Sequence, residues 1–182
     1  MTIFTIGHSV RPLDEFLRLL KAHDVRQLAD VRTVPRSRRH PQFTRDALER
    51  SLPASGIAYR HQPALGGLRK PRGDSRNTGW RVEGFRGYAD YMETPAFEQA
   101  LDQLIVWARS SSTAAMCAES LWWKCHRQLI ADALTARGVE VRHISSETSA
   151  PVHSLTAFAR LNGERVTYPG LSLLNAGGLT DE

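Results

Sequence analysis

Short apolar, β-rich runs alternate along the chain with stretches whose apolar residues recur every three or four positions. Residues 2–6 predict a first strand that breaks at Gly7-His8-Ser9. Leu13, Phe16, Leu17 and Leu20 fall at helical spacing and predict a helix over residues 12–21, with Asp14 and Glu15 in its first turn. Residues 25–31 predict a second strand, and residues 44–52 a second helix with Thr44 as N-cap. A short third strand over 57–61 runs into a loop rich in Gly, Pro and Arg. Thr94-Pro95 opens a helix to about Arg109, carrying the stripe Phe97, Leu101, Leu104, Ile105 and Ala108. Residues 113–117 predict a fourth strand, residues 122–137 a helix stopped by Gly138, and residues 139–144 a fifth strand.

Strands alternating with helices imply an α/β fold. The expected architecture is a compact three-layer domain, with a mostly parallel sheet of about five strands and helices on both faces. Residues 1–150 make one such domain. Residues 151–182, with Tyr168-Pro169-Gly170 and Asn175-Ala176-Gly177-Gly178, read as an irregular extension that packs on it or frays.

Composition changes this picture little: 182 residues, 41% hydrophobic and 24% charged, exclude disordered and fibrous classes. No apolar run approaches the roughly 20 residues of a membrane span, so no membrane partner is expected. The opening residues lack the pattern of a secretory signal, and two cysteines are too few for a disulfide scaffold. A cytoplasmic protein with reduced thiols is the expectation.

Charge changes more. The formal net charge is +5, but 13 Arg or Lys face four acids between Arg32 and Arg86, a local +9, leaving −4 elsewhere. Arg36, Arg38 and Arg39 form one cluster, Arg69, Lys70 and Arg72 another. Guanidinium forks suit phosphates. Phe43, Tyr59, Trp80, Phe85, Tyr88 and Tyr91 interleave with the bases, as stacking on nucleobases requires. A solvated basic face, with those aromatics in the core, explains the same pattern.

Ligands of open parallel sheets bind beyond the carboxyl ends of the strands. His8 and Ser9 follow the first strand, Asp30 and Arg32 end the second, Cys117 and Glu119 end the fourth, and Cys125, His126 and Arg127 sit in the predicted opening turns of the following helix. Cys125 beside His126 and Arg127 suits a thiolate nucleophile, with Glu119, His8 or Asp30 as acid or base. Arg127, with the helix amides, suits an anion site. The plainer roles are packing for Cys117, core or pocket wall for Trp122 and Trp123, and an ion pair for Asp30 and Arg32. Cys117, Cys125, His126 and His8 could supply metal ligands, but their spacing is no recognised zinc pattern, so no metal is expected.

Thr5-Ile6-Gly7-His8-Ser9, Asp30-Val31-Arg32 with Pro35-Arg36-Ser37, Leu65-Gly66-Gly67, and Cys117-Ala118-Glu119 through Cys125-His126-Arg127 together resemble the domain of unknown function 488 family. The Trp122-Trp123 pair and the tail motifs are similar to one of its subgroups. The resemblance implies a compact α/β fold and no established reaction or cofactor. The leading expectation is a protein that binds nucleic acid, or another polyanion, along the basic stretch and handles a nucleotide at the strand ends. Arg36, Arg38, Arg39, Arg69, Lys70 and Arg72 would hold phosphates, while Ser9, Arg32, His126 and Arg127 would hold the ligand. A thiol-dependent enzyme on a small anion and a non-catalytic binding module are the alternatives.

Overall fold

Strands covered by helices on both faces bury side chains on both sides, as the wholly buried runs at 27–30 and 113–116 do, whereas the edge runs at 58–61 and 140–143 keep exposed positions. The structure, a computed structural model, describes residues 1–170. Five parallel strands form the sheet: β1 (Thr2–Gly7), β2 (Gln27–Asp30), β3 (Ala58–His61), β4 (Thr113–Cys117) and β5 (Glu140–His143), in the order β3-β2-β4-β1-β5. Helices α1 (Leu13–Ala22) and α2 (Arg45–Ala54) cover one face. Helices α3 (Glu83–Met92), α4 (Pro95–Ala108) and α5 (Arg127–Ala136) cover the other. The expected three-layer α/β architecture is the one found.

Alternation decides which face each residue meets. Ile6, Leu28, Ala114 and Met116 pack with Phe16, Leu20, Leu48 and Leu52 of the first two helices. Ile3, Ala29, Ala115 and Val141 pack with Leu101, Leu104, Leu129 and Leu134 on the opposite side. Among the described residues, no helix is long and apolar enough to cross a membrane.

Three differences from the predicted elements have physical reasons. Helix α3 lies in what reads as a loop, burying Tyr88, Ala89 and Met92 although Gly84 and Gly87 weaken its helical signal. The helix predicted from residue 122 is two pieces: a single 3-10 turn over Trp122–Lys124, then an extended Cys125 (φ −132°, ψ 150°), with α5 beginning only at Arg127. Thr44 precedes α2 but makes no side-chain cap, because its hydroxyl donates to the Pro41 carbonyl at 2.9 Å. Thr94 does cap α4, accepting from the Phe97 amide at 3.3 Å.

Beyond β5 the chain bridges Val152 to Arg142 and then forms a hairpin, β6 (Arg160–Asn162) and β7 (Arg165–Thr167). Tyr168 follows, fully buried, with its hydroxyl donating to Asp132 of α5 at 2.8 Å. The Asn175-Ala176-Gly177-Gly178 segment lies outside the described residues.

Candidate functional site

Strand order places the site. From β1 the chain leaves through α1 toward β2, and from the adjacent β4 it leaves through α5 toward β5, on the opposite face. Diverging connections open a crevice at the carboxyl ends of that strand pair. A cavity of about 850 Å³ occupies it, bordered by His8, Ser9, Arg32, Cys117, Glu119, Cys125 and His126, all candidates from the sequence. Arg36, Ser37 and His40 form one wall, and Phe85 reaches in from α3. Val10, Val34, Leu68 and Val82 are exposed around its mouth.

Backbone pairing continues past the strands: the His8 amide donates to the Cys117 carbonyl and the Ser9 amide to that of Ala118, both at 2.9 Å. Ser9 itself is left-handed at φ 50°. Gly7 lets the two chains come this close, since a Cβ there would overlap the Glu119 carbonyl.

Asp30 is fully buried behind the cavity and does not border it. Its carboxylate accepts from Arg32 Nε at 2.8 Å and from the other arm of the fork at 2.6 Å. It also accepts from the Arg32 amide and from the Tyr59 hydroxyl, at 3.1 and 2.7 Å. The expected acid or base role for Asp30 therefore gives way to a positioning one: three of the four hydrogen bonds it accepts come from Arg32 and the fourth from Tyr59. The remaining Arg32 nitrogen donates to His8 Nε2 at 3.2 Å. His8 Nδ1 must then carry the ring proton, which it donates to the Ser9 carbonyl at 2.8 Å. Stacked on Phe43 at 4.3 Å, His8 is held neutral, its pKa brought down to about 4 mainly by burial and further by the Arg32 charge. Its basic nitrogen already has a donor, which weakens the case for His8 as a free base.

The floor carries the sulfur chemistry. His126 Nε2 donates to the Val31 carbonyl at 3.0 Å, leaving Nδ1 as the acceptor in the neutral ring. That nitrogen lies 3.5 Å from Cys125 Sγ and 4.0 Å from Cys117 Sγ. Gly67 permits the packing, because a Cβ there would stand 2.5 Å from Nδ1. The extended backbone at Cys125 turns its sulfur toward β4, and Arg127 Nε donates to it at 3.4 Å. Cys125 titrates well below an ordinary thiol, chiefly because Cys117 donates to its thiolate and then, against the effect of burial, because the Arg127 charge, and His126 whenever Nδ1 also carries a proton, favour the anion. Cys117 is pushed up correspondingly by that hydrogen bond and by burial.

Several sequence candidates do other work. Arg127 is 1% exposed and spends its guanidinium on Cys125 and on the carbonyls of Glu119 and Ser120, so it braces the floor where an anion clamp was expected. Arg69 donates to the Gly66 and Ala64 carbonyls and lies 3.6 Å over the Tyr91 ring. Arg72 pairs with Glu93 at 2.8 Å, while its amide and Ser75 both bind Asp90. These two arginines secure their own loop. Lys70 is exposed and does not border the cavity. Phe43 and Tyr88 are core, Trp80 packs with Phe158 and Tyr168, and of the six interleaved aromatics only Phe85 faces the cavity. Arg36, Arg38 and Arg39 are exposed, and their side chains make no hydrogen bond or ion pair among the described residues. Glu119 is exposed at the rim, accepting from the Leu121 amide at 3.2 Å.

Sequence reasoning missed a buried polar chain beneath the floor. Asp132 accepts from His153 Nε2 at 2.8 Å, His153 Nδ1 accepts from His143 Nε2 at 3.0 Å, and His143 Nδ1 accepts from the Thr5 hydroxyl at 2.7 Å. Trp122 stacks on His143 at 4.0 Å and does not border the cavity. Only the histidines themselves signalled this, since their partners are up to 138 residues away in sequence.

The model of the family described as Domain of unknown function DUF488 matches residues 12–134, more than half of the chain. No curated protein and no solved structure matches it.

Proposed function

The chain belongs to the DUF488 family, and from that premise we propose that it binds nucleic acid or a nucleotide, with phosphates on the loop at residues 36–39 and a base or sugar in the switch-point cavity. The family brings no reaction with it, so the site has to carry the reading. Its main support is the set Arg36, Arg38 and Arg39, exposed and unpaired among the described residues, on the loop that walls the cavity. Arginine forks left without intramolecular carboxylates are available to phosphate oxygens. The cavity, at about 850 Å³, falls within the roughly 300–1,000 Å³ range of small-molecule sites. Phe85 and the exposed valines at the mouth offer apolar contact to a base. Two unpaired thiols, Cys117 and Cys125, suit a reducing cytoplasmic setting.

Fluorescence anisotropy with short single-stranded and duplex DNA and RNA, and competition by nucleotides, tests this at low salt. Binding should weaken steeply as salt rises. The triple variant Arg36→Ala/Arg38→Ala/Arg39→Ala should lower the salt slope by about two to three. No binding at low salt, or a triple variant that binds as the parent does, overturns the reading.

A further inference from the structure

We propose that Cys117, Cys125 and His126 form a three-ligand site for a zinc-class divalent cation, with the fourth coordination position open to the cavity. The cysteines are eight residues apart, one ending β4 and the other in the extended link before α5, so their spacing points away from a metal. Folding reverses that: Cys117 Sγ, Cys125 Sγ and His126 Nδ1 lie within 4.8 Å of one another. Among the described residues, no other trio of His, Cys, Asp and Glu side chains gathers in this way.

The distances suit the chemistry. Zinc–sulfur bonds of about 2.3 Å and zinc–nitrogen bonds of about 2.0–2.1 Å at tetrahedral angles put donor atoms roughly 3.6–3.8 Å apart. The observed nitrogen–sulfur separations are 3.5 and 4.0 Å, so these pairs need shifts of a few tenths of an ångström, while the two sulfurs, within 4.8 Å of each other, need to close by up to about 1 Å. Two thiolates and one imidazole are a soft-to-borderline donor set, which selects zinc over calcium or magnesium. His126 donates its other ring proton to the Val31 carbonyl, the outer contact that orients a metal-bound imidazole and leaves Nδ1 free to ligate. Arg127 Nε supports the Cys125 sulfur in the same way. His8, the fourth candidate, is committed to Arg32 and Ser9 and stays outside the set. All three ligand residues border the cavity, so water or substrate would take the open corner beside Glu119.

The inference goes beyond the nucleic-acid reading and does not depend on it. Reduced, chelator-stripped full-length protein is titrated with cobalt(II), and then with zinc against a chromogenic chelator. One equivalent should give the visible bands of tetrahedral cobalt and a thiolate-to-cobalt charge-transfer band, and zinc should bleach both. Cys117→Ser and Cys125→Ser should each weaken zinc binding more than about 100-fold, with folding checked by circular dichroism. Gly67→Ala keeps every ligand but crowds the His126 ring, and should weaken binding about tenfold or more. Zinc should also shield both cysteines from iodoacetamide. Absent tetrahedral bands, or alkylation of Cys125 at the same rate with and without zinc, would overturn the site and return Cys125 to a metal-free thiol role. Oligonucleotide binding by the stripped protein is measured alongside, so that either proposal can fail alone.

Discussion

Arg32 shows how one side chain can be central to a site without being free in it. Its fork is filled by Asp30, and its last arm reaches His8, so the aspartate, arginine and histidine form one buried unit at the strand ends. Removing one partner of a buried pair leaves the other charge without compensation. Arg32→Leu should therefore cost about 3–5 kcal/mol of stability in urea unfolding, far more than an exposed arginine would. A loss under about 1 kcal/mol would mean that Asp30 is not dependent on Arg32 for its charge. The sequence placed Asp30 and Arg32 on the same side of one strand, and their pairing follows from that spacing. It did not say whether Arg32 would remain available to a ligand, because that depends on Tyr59 and His8, brought in from other strands.

At the scale of elements, the hairpin and Tyr168 tie the end of the described chain to α5. Asp132 is the common anchor, accepting from the Tyr168 hydroxyl, His153 and the Thr156 amide. Tyr168→Phe deletes one charge-assisted hydrogen bond while keeping the ring, and should lower stability by about 1.5–3 kcal/mol in thermal or denaturant unfolding. A neutral result would show that the apolar contacts of Tyr168 with Trp80 and Phe158 and its backbone bonds to Asn77 and Gly79 hold the hairpin without the hydroxyl. Helix α3 was hidden for a local reason. Phe85, Tyr88, Ala89 and Met92 have helical spacing, but two glycines and the preceding Arg- and Gly-rich run outweighed it. The break at Cys125 was hidden for a tertiary one, since the extended residue is stabilised by contacts of its sulfur with β4 and α5.

Across the whole molecule, charge and protonation behave less simply than the net +5 suggests. Part of the basic excess is spent internally on Glu93, on carbonyls and on aromatic rings; of what stays exposed, Arg36, Arg38 and Arg39 lie on the loop that borders the cavity, while Arg50, Lys70, Arg76 and Arg81 lie elsewhere. Two histidines give the fold an acid sensitivity. Burial lowers His8 to about 4, and burial with the nearby His153 and Arg127 lowers His143 to about 3. Both are neutral in the native state, while the unfolded chain takes up protons below about pH 6.5. Their contribution is thus fully present above that pH and is lost progressively as the pH falls toward the native values. The unfolding free energy should fall between about pH 6.5 and pH 4, and His143→Gln should flatten the slope by up to about 1.4 kcal/mol per pH unit. A parent protein equally stable across this window would refute the assignment of both rings as neutral.

The sequence by itself determined the elements that carry the sheet and the residues that stand at its carboxyl ends. Periodicity and strand-end position are local properties, so His8, Ser9, Arg32, Cys117, Glu119 and His126 could be placed at one rim before any contact was known. Tertiary structure decided what each of them does there. Setting β4 between β1 and β2 brings Cys117 beside His126 and against the β1 loop, and packing commits Asp30 to Arg32 and Tyr59, Arg127 to Cys125 and Glu119, Arg69 to Ala64 and Tyr91, and Arg72 to Glu93. Composition counts charges and thiols. Only the packed chain decides which charges are already paired and which thiols share one imidazole, because both depend on distances of a few ångströms between residues that sequence order keeps apart.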